Sequence, residues 1–112
     1  MNCILVASNK IFDIRSDSDA NEDIHELSLL AQTLSFSVLG EQILNLRKIT
    51  PSTYYGKGQI KSIGGKVSAL KCDHVIFNDD ISPSQYKNIQ KLLNKKIKIF
   101  DRTGLILEIC KR

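Results

Sequence analysis

The chain has 112 residues, 42% of them apolar and 25% charged, with a formal net charge of +4; this is the length and balance of one globular domain with a real core. Two prolines and six glycines exclude collagen-like and Pro/Gly-rich disordered chains, and no apolar run approaches the roughly 18–20 residues of a membrane helix. The apolar run from Cys3 to Ala7 has no basic flank and is too short for a secretory leader, so the expectation is a soluble cytoplasmic protein without membrane insertion.

Cys3 to Ala7 reads as a strand buried on both faces. Lys10 to Ile14 reads as a hairpin-like piece in the polar stretch that follows. Asp19-Ala20-Asn21-Glu22 forms a capping box with acids in the first turn. It opens a helix whose Ile24, Leu27, Leu30, Ala31 and Leu34 share one face. Val38 to Leu46 is a second strand, and Arg47 to Tyr55 is a loop containing Pro51. A helical pattern starts near Gln59, with Ile60, Ile63, Val67 and Leu70 on one face. Gly64-Gly65 interrupts that pattern at about 1 kcal/mol per glycine relative to alanine; the pair either weakens the helix or marks close packing against the sheet.

His74 to Phe77 is a short third strand. In Ser82-Pro83-Ser84-Gln85, Ser82 caps a helix, Pro83 takes the first position and Gln85 completes the box, while Ile81 and Tyr86 are placed for a hydrophobic staple. Ile97 to Phe100 is the fourth strand. Asp101-Arg102-Thr103-Gly104 turns into a last helix, Leu105 to Cys110, which is apolar nearly all round and must pack on something. Strands alternating with helices predict an α/β fold: a small open sheet of about four parallel strands with helices on both faces, in the order β-α-β-α-β-α-β-α. Residues 1–112 read as one α/β subdomain. Sites in such sheets lie beyond the C-terminal ends of the strands.

Charge is unevenly spread. Residues 1–46 carry two bases against seven acids, and residues 47–112 carry fourteen bases against five acids. The basic remainder suggests a polyanionic partner or a lysine-rich solvated surface.

Cys3, Cys72 and Cys110 form no CxxC pair, so neither a disulfide framework nor a zinc site is expected, and all three read as reduced, half-buried thiols. His25 reads as an exposed helix residue and His74 as a strand-edge residue. Gly56-Lys57-Gly58 begins a dinucleotide fingerprint, but Lys61 stands at its third glycine. Gly65-Lys66 resembles the end of a Walker A loop, but Ile60 and Val67 occupy required positions.

Two constellations carry chemistry. Asp79, Asp80 and Asp101 stand just past strand ends, where carboxylates either hold Mg²⁺ for phosphoryl transfer or start turns and cap helices. With Lys57, they define the alternative of a stand-alone nucleotide- or Mg-binding domain or an enzyme. Tyr54-Tyr55-Gly56-Lys57-Gly58, followed by Lys61, combines aromatics for stacking on bases, lysines for phosphates and glycines for close backbone approach. The same residues also suit a tight strand-to-helix turn with one tyrosine buried.

Three stretches resemble the N-terminal domain of HflX-type ribosome-associated GTPases. They are Tyr55-Gly56-Lys57-Gly58-Gln59, the run Val75 to Gln85 (VIFNDDISPSQ), and Asp101 to Ile109 (DRTGLILEI). The resemblance extends over essentially the whole chain, with departures at Gln59, where the family has a second lysine, and at Asn78 and Ile81, where it has acids. It implies a module that helps a GTPase engage the large ribosomal subunit and its RNA. It also implies that a helical hairpin and a G domain binding GTP and Mg belong to the parent. This stretch is then no enzyme by itself and needs no cofactor of its own; its partners are the large subunit and the parent's own G domain and helical subdomain. Tyr54, Tyr55, Gly56, Lys57, Gly58, Lys61 and Arg102 are the candidate nucleic-acid or nucleotide contacts. Asp79, Asp80, Ser82, Pro83, Ser84, Gln85 and Asp101 are the motif residues with capping or metal roles.

Overall fold

A computed structural model describes residues 1–15 and 19–111. Asp17 and Arg112, counted in the charge balance above, lie outside the described residues. The elements run β1 (Asn2–Lys10), α1 (Ala20–Thr33), β2 (Ser37–Leu46), α2 (Lys57–Leu70), β3 (His74–Phe77), α3 (Pro83–Leu92), β4 (Lys98–Phe100) and α4 (Arg102–Cys110). The four strands make one parallel sheet in the order β2-β1-β3-β4. The expected α/β architecture is therefore the observed one. Strand order reverses between β1 and β3, so the crevice beyond their C-terminal ends is the topological switch point of the sheet.

β1 is central, and Cys3 to Ser8 are all buried, which explains the unbroken apolar run. It continues to Lys10 in parallel register with β2, so Lys10 ends a strand and the hairpin-like piece predicted there does not form. Alternate side chains feed two cores. Cys3, Leu5 and Ala7 pack with Ile24, Leu27 and Ala31 of α1 and Leu105 of α4. Ile4 and Val6 pack with Ile60, Ile63 and Val67 of α2 and Ile89 of α3. Helices α1 and α4 thus cover one face of the sheet, and α2 and α3 the other.

Several local expectations are corrected. The Asp19 side chain caps α1 by accepting from Asn21 N at 3.0 Å, rather than through the box with Glu22. Helix α2 starts at Lys57 and runs unbroken through Gly64-Gly65. Gly64 marks an approach to α3 and not to the sheet, because a Cβ there would meet Leu93 Cδ2 at 3.3 Å. Leu70 is exposed at the end of α2. Its Cδ1 would lie 3.0 Å from a Cβ on Gly40, at the bulge where β2 inserts Leu39 opposite the Cys3–Ile4 step. Helix α4 begins at Arg102, three residues earlier than predicted, and of its apolar residues only Leu105 is fully buried while Ile106 and Leu107 are exposed. The thiols are not half-buried: Cys3 and Cys72 are buried and Cys110 is exposed. His74 is no edge residue. It is buried, its ring 4.8 Å from Phe36 edge-on and stacked at 6.1 Å on Phe100, with Nδ1 2.6 Å from Asp73 Oδ1.

The outer edge of β2 is covered by α2. Lys66 Nζ donates to Glu41 O at 2.7 Å and Gln59 Nε2 to Asn45 O at 3.2 Å, occupying carbonyls that an open edge would offer to another strand.

Candidate functional site

The switch point holds a buried carboxylate. Asp79 stands two residues past β3 and accepts four hydrogen bonds. Oδ2 takes Ser8 Oγ at 2.7 Å and Tyr55 Oη at 2.8 Å, while Oδ1 takes Lys10 Nζ at 2.9 Å and Tyr54 Oη at 3.3 Å. Burial alone would lower the Lys10 pKa, but the hydrogen bond and charge of Asp79 outweigh it and the pKa is raised. Burial pushes the Tyr55 hydroxyl well above the usual tyrosine range, and the Asp79 charge adds to it; Tyr54 shifts the same way for the same reasons. A carboxylate with all its strong lone pairs taken by donors is a clasp and not an open ligand site.

The clasp fixes the loop before α2. Tyr54 adopts a left-handed backbone, φ 66, held by paired bonds to Thr50, with Thr50 N to Tyr54 O at 3.0 Å and Tyr54 N to Thr50 O at 2.7 Å. Its ring lies 5.9 Å from Lys10 Nζ. Tyr55 is completely buried and stacks on Phe77 at 5.0 Å, so it offers no face to a base; of the two readings of this stretch, the tight turn with one tyrosine buried is the one that forms. Gly56 caps α2, and its N–H donates to Gln59 Oε1 at 3.0 Å. Lys57, Gly58 and Lys61 are exposed on α2.

The remaining motif residues interlock the loops. Ser82 Oγ accepts from Gln85 N at 3.2 Å and Gln85 Oε1 from Ser82 N at 3.0 Å, with Pro83 in the first turn. Ser84 is exposed, its Oγ 3.3 Å from that of Ser82. Gln85 Nε2 and Asn88 Nδ2 reach the carbonyls of Pro51 and Ser52 at 3.3 and 2.8 Å, tying α3 to the tyrosine loop. Asp101 caps α4 through Gly104 N at 2.7 Å and also accepts from Ile81 N at 3.1 Å. A Cβ on Gly104 would sit 2.9 Å from Asp101 Oδ1, so the DRTG glycine is required by the cap. Thr103 Oγ1 donates to Asp80 Oδ1 at 2.7 Å, and Arg102 Nη1 to Asn78 Oδ1 at 3.0 Å. Asp79, Asp80 and Asp101 therefore serve three separate partners, and among the described residues no group of three His, Cys, Asp or Glu side chains gathers as a metal site.

Sequence reasoning missed Ser8, Lys10 and Asn88. Their signal was positional: polar residues closing an apolar central strand, and an amide one turn into a capped helix.

Charge follows the layers. Helix α1 carries Glu22, Asp23 and Glu26 and no base, and α4 carries Arg102 and Glu108. Helices α2 and α3 carry Lys57, Lys61, Lys66, Lys87 and Lys91 and no acid. Among the described residues the ion pairs are Lys10–Asp79, Glu26–Arg102 and Glu108–Lys111, with Asp73 hydrogen-bonded to His74, so no lysine of α2 or α3 is paired. Arg102, 3.7 Å from Glu26, belongs to the opposite layer and stands apart from Lys57 and Lys61.

The family model described as GTP-binding GTPase N-terminal matches residues 21–110. The chain is 38% identical over 86 residues to a protein named GTPase HflX of Magnetococcus marinus, covering 77% of this chain and 19% of that protein. It is 36% identical over 95 residues to the one from Alkalihalophilus pseudofirmus, covering 85% and 22%, and 33% identical over 89 residues to the one from Escherichia coli, covering 79% and 20%. The chain thus spans about a fifth of the length of these relatives. Its fold is similar to that of a GTP-binding protein from Sulfolobus solfataricus crystallised with GDP, with a TM-score of 0.66 at 17% identity over 97% of this chain and 30% of that one. A G235S variant titled SsGBP gives 0.72 at 18% identity, over 97% and 32%.

Proposed function

Because the chain belongs to the GTP-binding GTPase N-terminal family of HflX-type proteins, we propose that it is the ribosome- and RNA-engaging, regulatory N-terminal module of an HflX-like GTP-binding protein. The observation that carries this reading is the acid-free layer of α2 and α3, whose lysines stand unpaired on one face of the sheet. Phosphate groups are its complement, because each neutralised phosphate releases counterions. Residues 1–112 act as one α/β subdomain, and the parent continues into a helical hairpin and a G domain in the cytoplasm. GTP and Mg belong to that G domain, since the carboxylates here are committed to a clasp, a threonine and a helix cap. This chain performs no chemical step in the reading.

Binding to large ribosomal subunits and to ribosomal RNA, followed across salt, tests it. Affinity is expected to fall steeply between about 50 and about 200 mM salt. Absence of binding at low salt, or a flat salt response, contradicts the proposal.

A second role is supported by the opposite layer. Leu29 on α1 and Ile106 and Leu107 on α4 are exposed, and this apolar surface suits docking against the parent's own helical subdomain or G domain. A rise in thermal stability on adding those segments is the expected outcome; an unchanged midpoint contradicts it.

A further inference from the structure

A second feature of the basic layer lies at the end of the sheet away from Asp79. The C-terminal ends of α2 and α3 diverge beyond the point where Gly64 meets Leu93, and they leave a cleft of about 310 Å³. That is the low end of small-ligand pockets, with room for one ring system and too little for a duplex. Its walls are Gly64, Val67, Leu93 and Ile97, and its lining includes Lys71 and Lys96.

Lys71 is held in an unusual backbone. It ends α2 at φ 56, ψ 41, a left-handed position that glycine normally fills and that costs other residues roughly 1 kcal/mol. On the other side of the cleft the Lys96 backbone N–H donates to Asn94 Oδ1 at 3.0 Å. Asp73 is the only acid in the lining. Its Oδ1 is taken by Asn2 N at 3.1 Å and His74 Nδ1 at 2.6 Å, which leaves Oδ2 as an acceptor beside the cleft.

We propose that this cleft takes one unstacked base of a single-stranded RNA, gripped between the aliphatic walls, with the flanking phosphates on Lys71 and Lys96. The proposal rests on the RNA-engaging reading and deepens it. Aliphatic walls suit a flat ring, paired lysines suit the phosphates on either side of it, and the free Asp73 oxygen suits an amino or imino donor on the base edge. The lysines along α2 and α3 would bind any polyanion; the cleft would require a base.

The test measures fluorescence anisotropy of the chain with a single-stranded RNA of about 12 nucleotides and with the same strand made abasic. The intact strand is expected to bind about tenfold more tightly. Ser68→Trp, at an exposed position lining the cleft, is expected to remove that difference while leaving affinity for the abasic strand unchanged. Lys71→Gln with Lys96→Gln supplies a second variant that fills no space, and it is expected to weaken both strands. Equal affinity for the two strands, each still weakened by salt, overturns the base cleft and leaves the RNA-engaging reading standing. Failure of both strands to bind at low salt overturns the reading and the cleft together.

Discussion

The two helical layers use the same sheet in opposite ways. Under α1 and α4 the core takes four buried residues from α1 and Leu105 from α4, and the outer surface carries acids and exposed leucine and isoleucine. Over α2 and α3 it takes three buried residues from α2 and Ile89 from α3, and the outer surface of these helices carries lysines without acids. In the proposed function one layer serves as a docking face and the other as a polyanion face. The sheet between them keeps the α1 acids apart from the lysines of α2 and α3, and Glu26 reaches only Arg102 on its own side. Layer separation also gives the modest net charge its meaning, because a molecule of +4 presents a face far more basic than that figure suggests.

The basic layer depends on the Asp79 clasp, since that carboxylate holds the loop from which α2 starts. Asp79→Ala leaves the buried Tyr55 and Ser8 hydroxyls without their acceptor and Lys10 without its partner, and is expected to cost about 3 kcal/mol in urea unfolding. Asp80→Ala removes one exposed hydrogen bond and is expected to cost about 0.5 kcal/mol. Equal losses would break the distinction between a structural carboxylate and a surface one.

The same clasp sets an alkaline limit. Lys10 has a raised pKa, so its contribution is complete below its ordinary value near 10.5 and is lost as pH rises through the folded value. Tyr54 and Tyr55 are raised above 10.0, so above that pH the unfolded chain ionises first and stability falls further. Unfolding free energy is therefore expected to be insensitive to these three groups up to about pH 9.5 and to drop beyond about pH 10. Tyr55→Phe should soften that drop, and an unchanged profile would contradict the assignment.

Smaller effects separate α3 from α2. Ser82→Ala deletes the α3 cap and its share of the tie to the tyrosine loop, and is expected to cost about 1 kcal/mol. Gly65→Ala meets open space inside a helix, and is expected to stabilise by about 0.7 kcal/mol. Gly64→Ala must push on Leu93 and should show no such gain. Thermal melts of the pair read the contrast, and equal shifts would mean that α2 and α3 do not meet at Gly64.

Much of this architecture was legible from periodicity and caps. The apolar run at Cys3 to Ala7, the Ser82-Pro83 start and the alternation of elements give the parallel sheet and both helical faces. Residues brought together across the switch point were not legible, because Ser8 and Lys10 lie about seventy positions from Asp79 and only strand order joins them. At Tyr54 and Tyr55 local reading left two uses open, base stacking and a tight turn, and only the packing chose between them. Two adjacent aromatics beside Gly56 and Lys57 suit base stacking, yet the strand-to-helix turn buries the second and strains the first. The motifs that carried the resemblance turn out to be bonded to one another: Asn78 to Arg102, Asp80 to Thr103, and Asp101 to the Ile81 amide.

The contrast between the layers is tested most directly by the salt dependence of RNA binding in two charge variants. One carries Lys57→Gln, Lys61→Gln, Lys87→Gln and Lys91→Gln; the other carries Glu22→Gln and Glu26→Gln on the opposite layer. Loss of four phosphate contacts is expected to reduce the slope of log affinity against log salt by about 3 for a single strand, while the glutamate variant keeps the wild-type slope. A lysine variant with an unchanged slope, or a glutamate variant that changes it as much, would contradict the assignment of the polyanion face to α2 and α3.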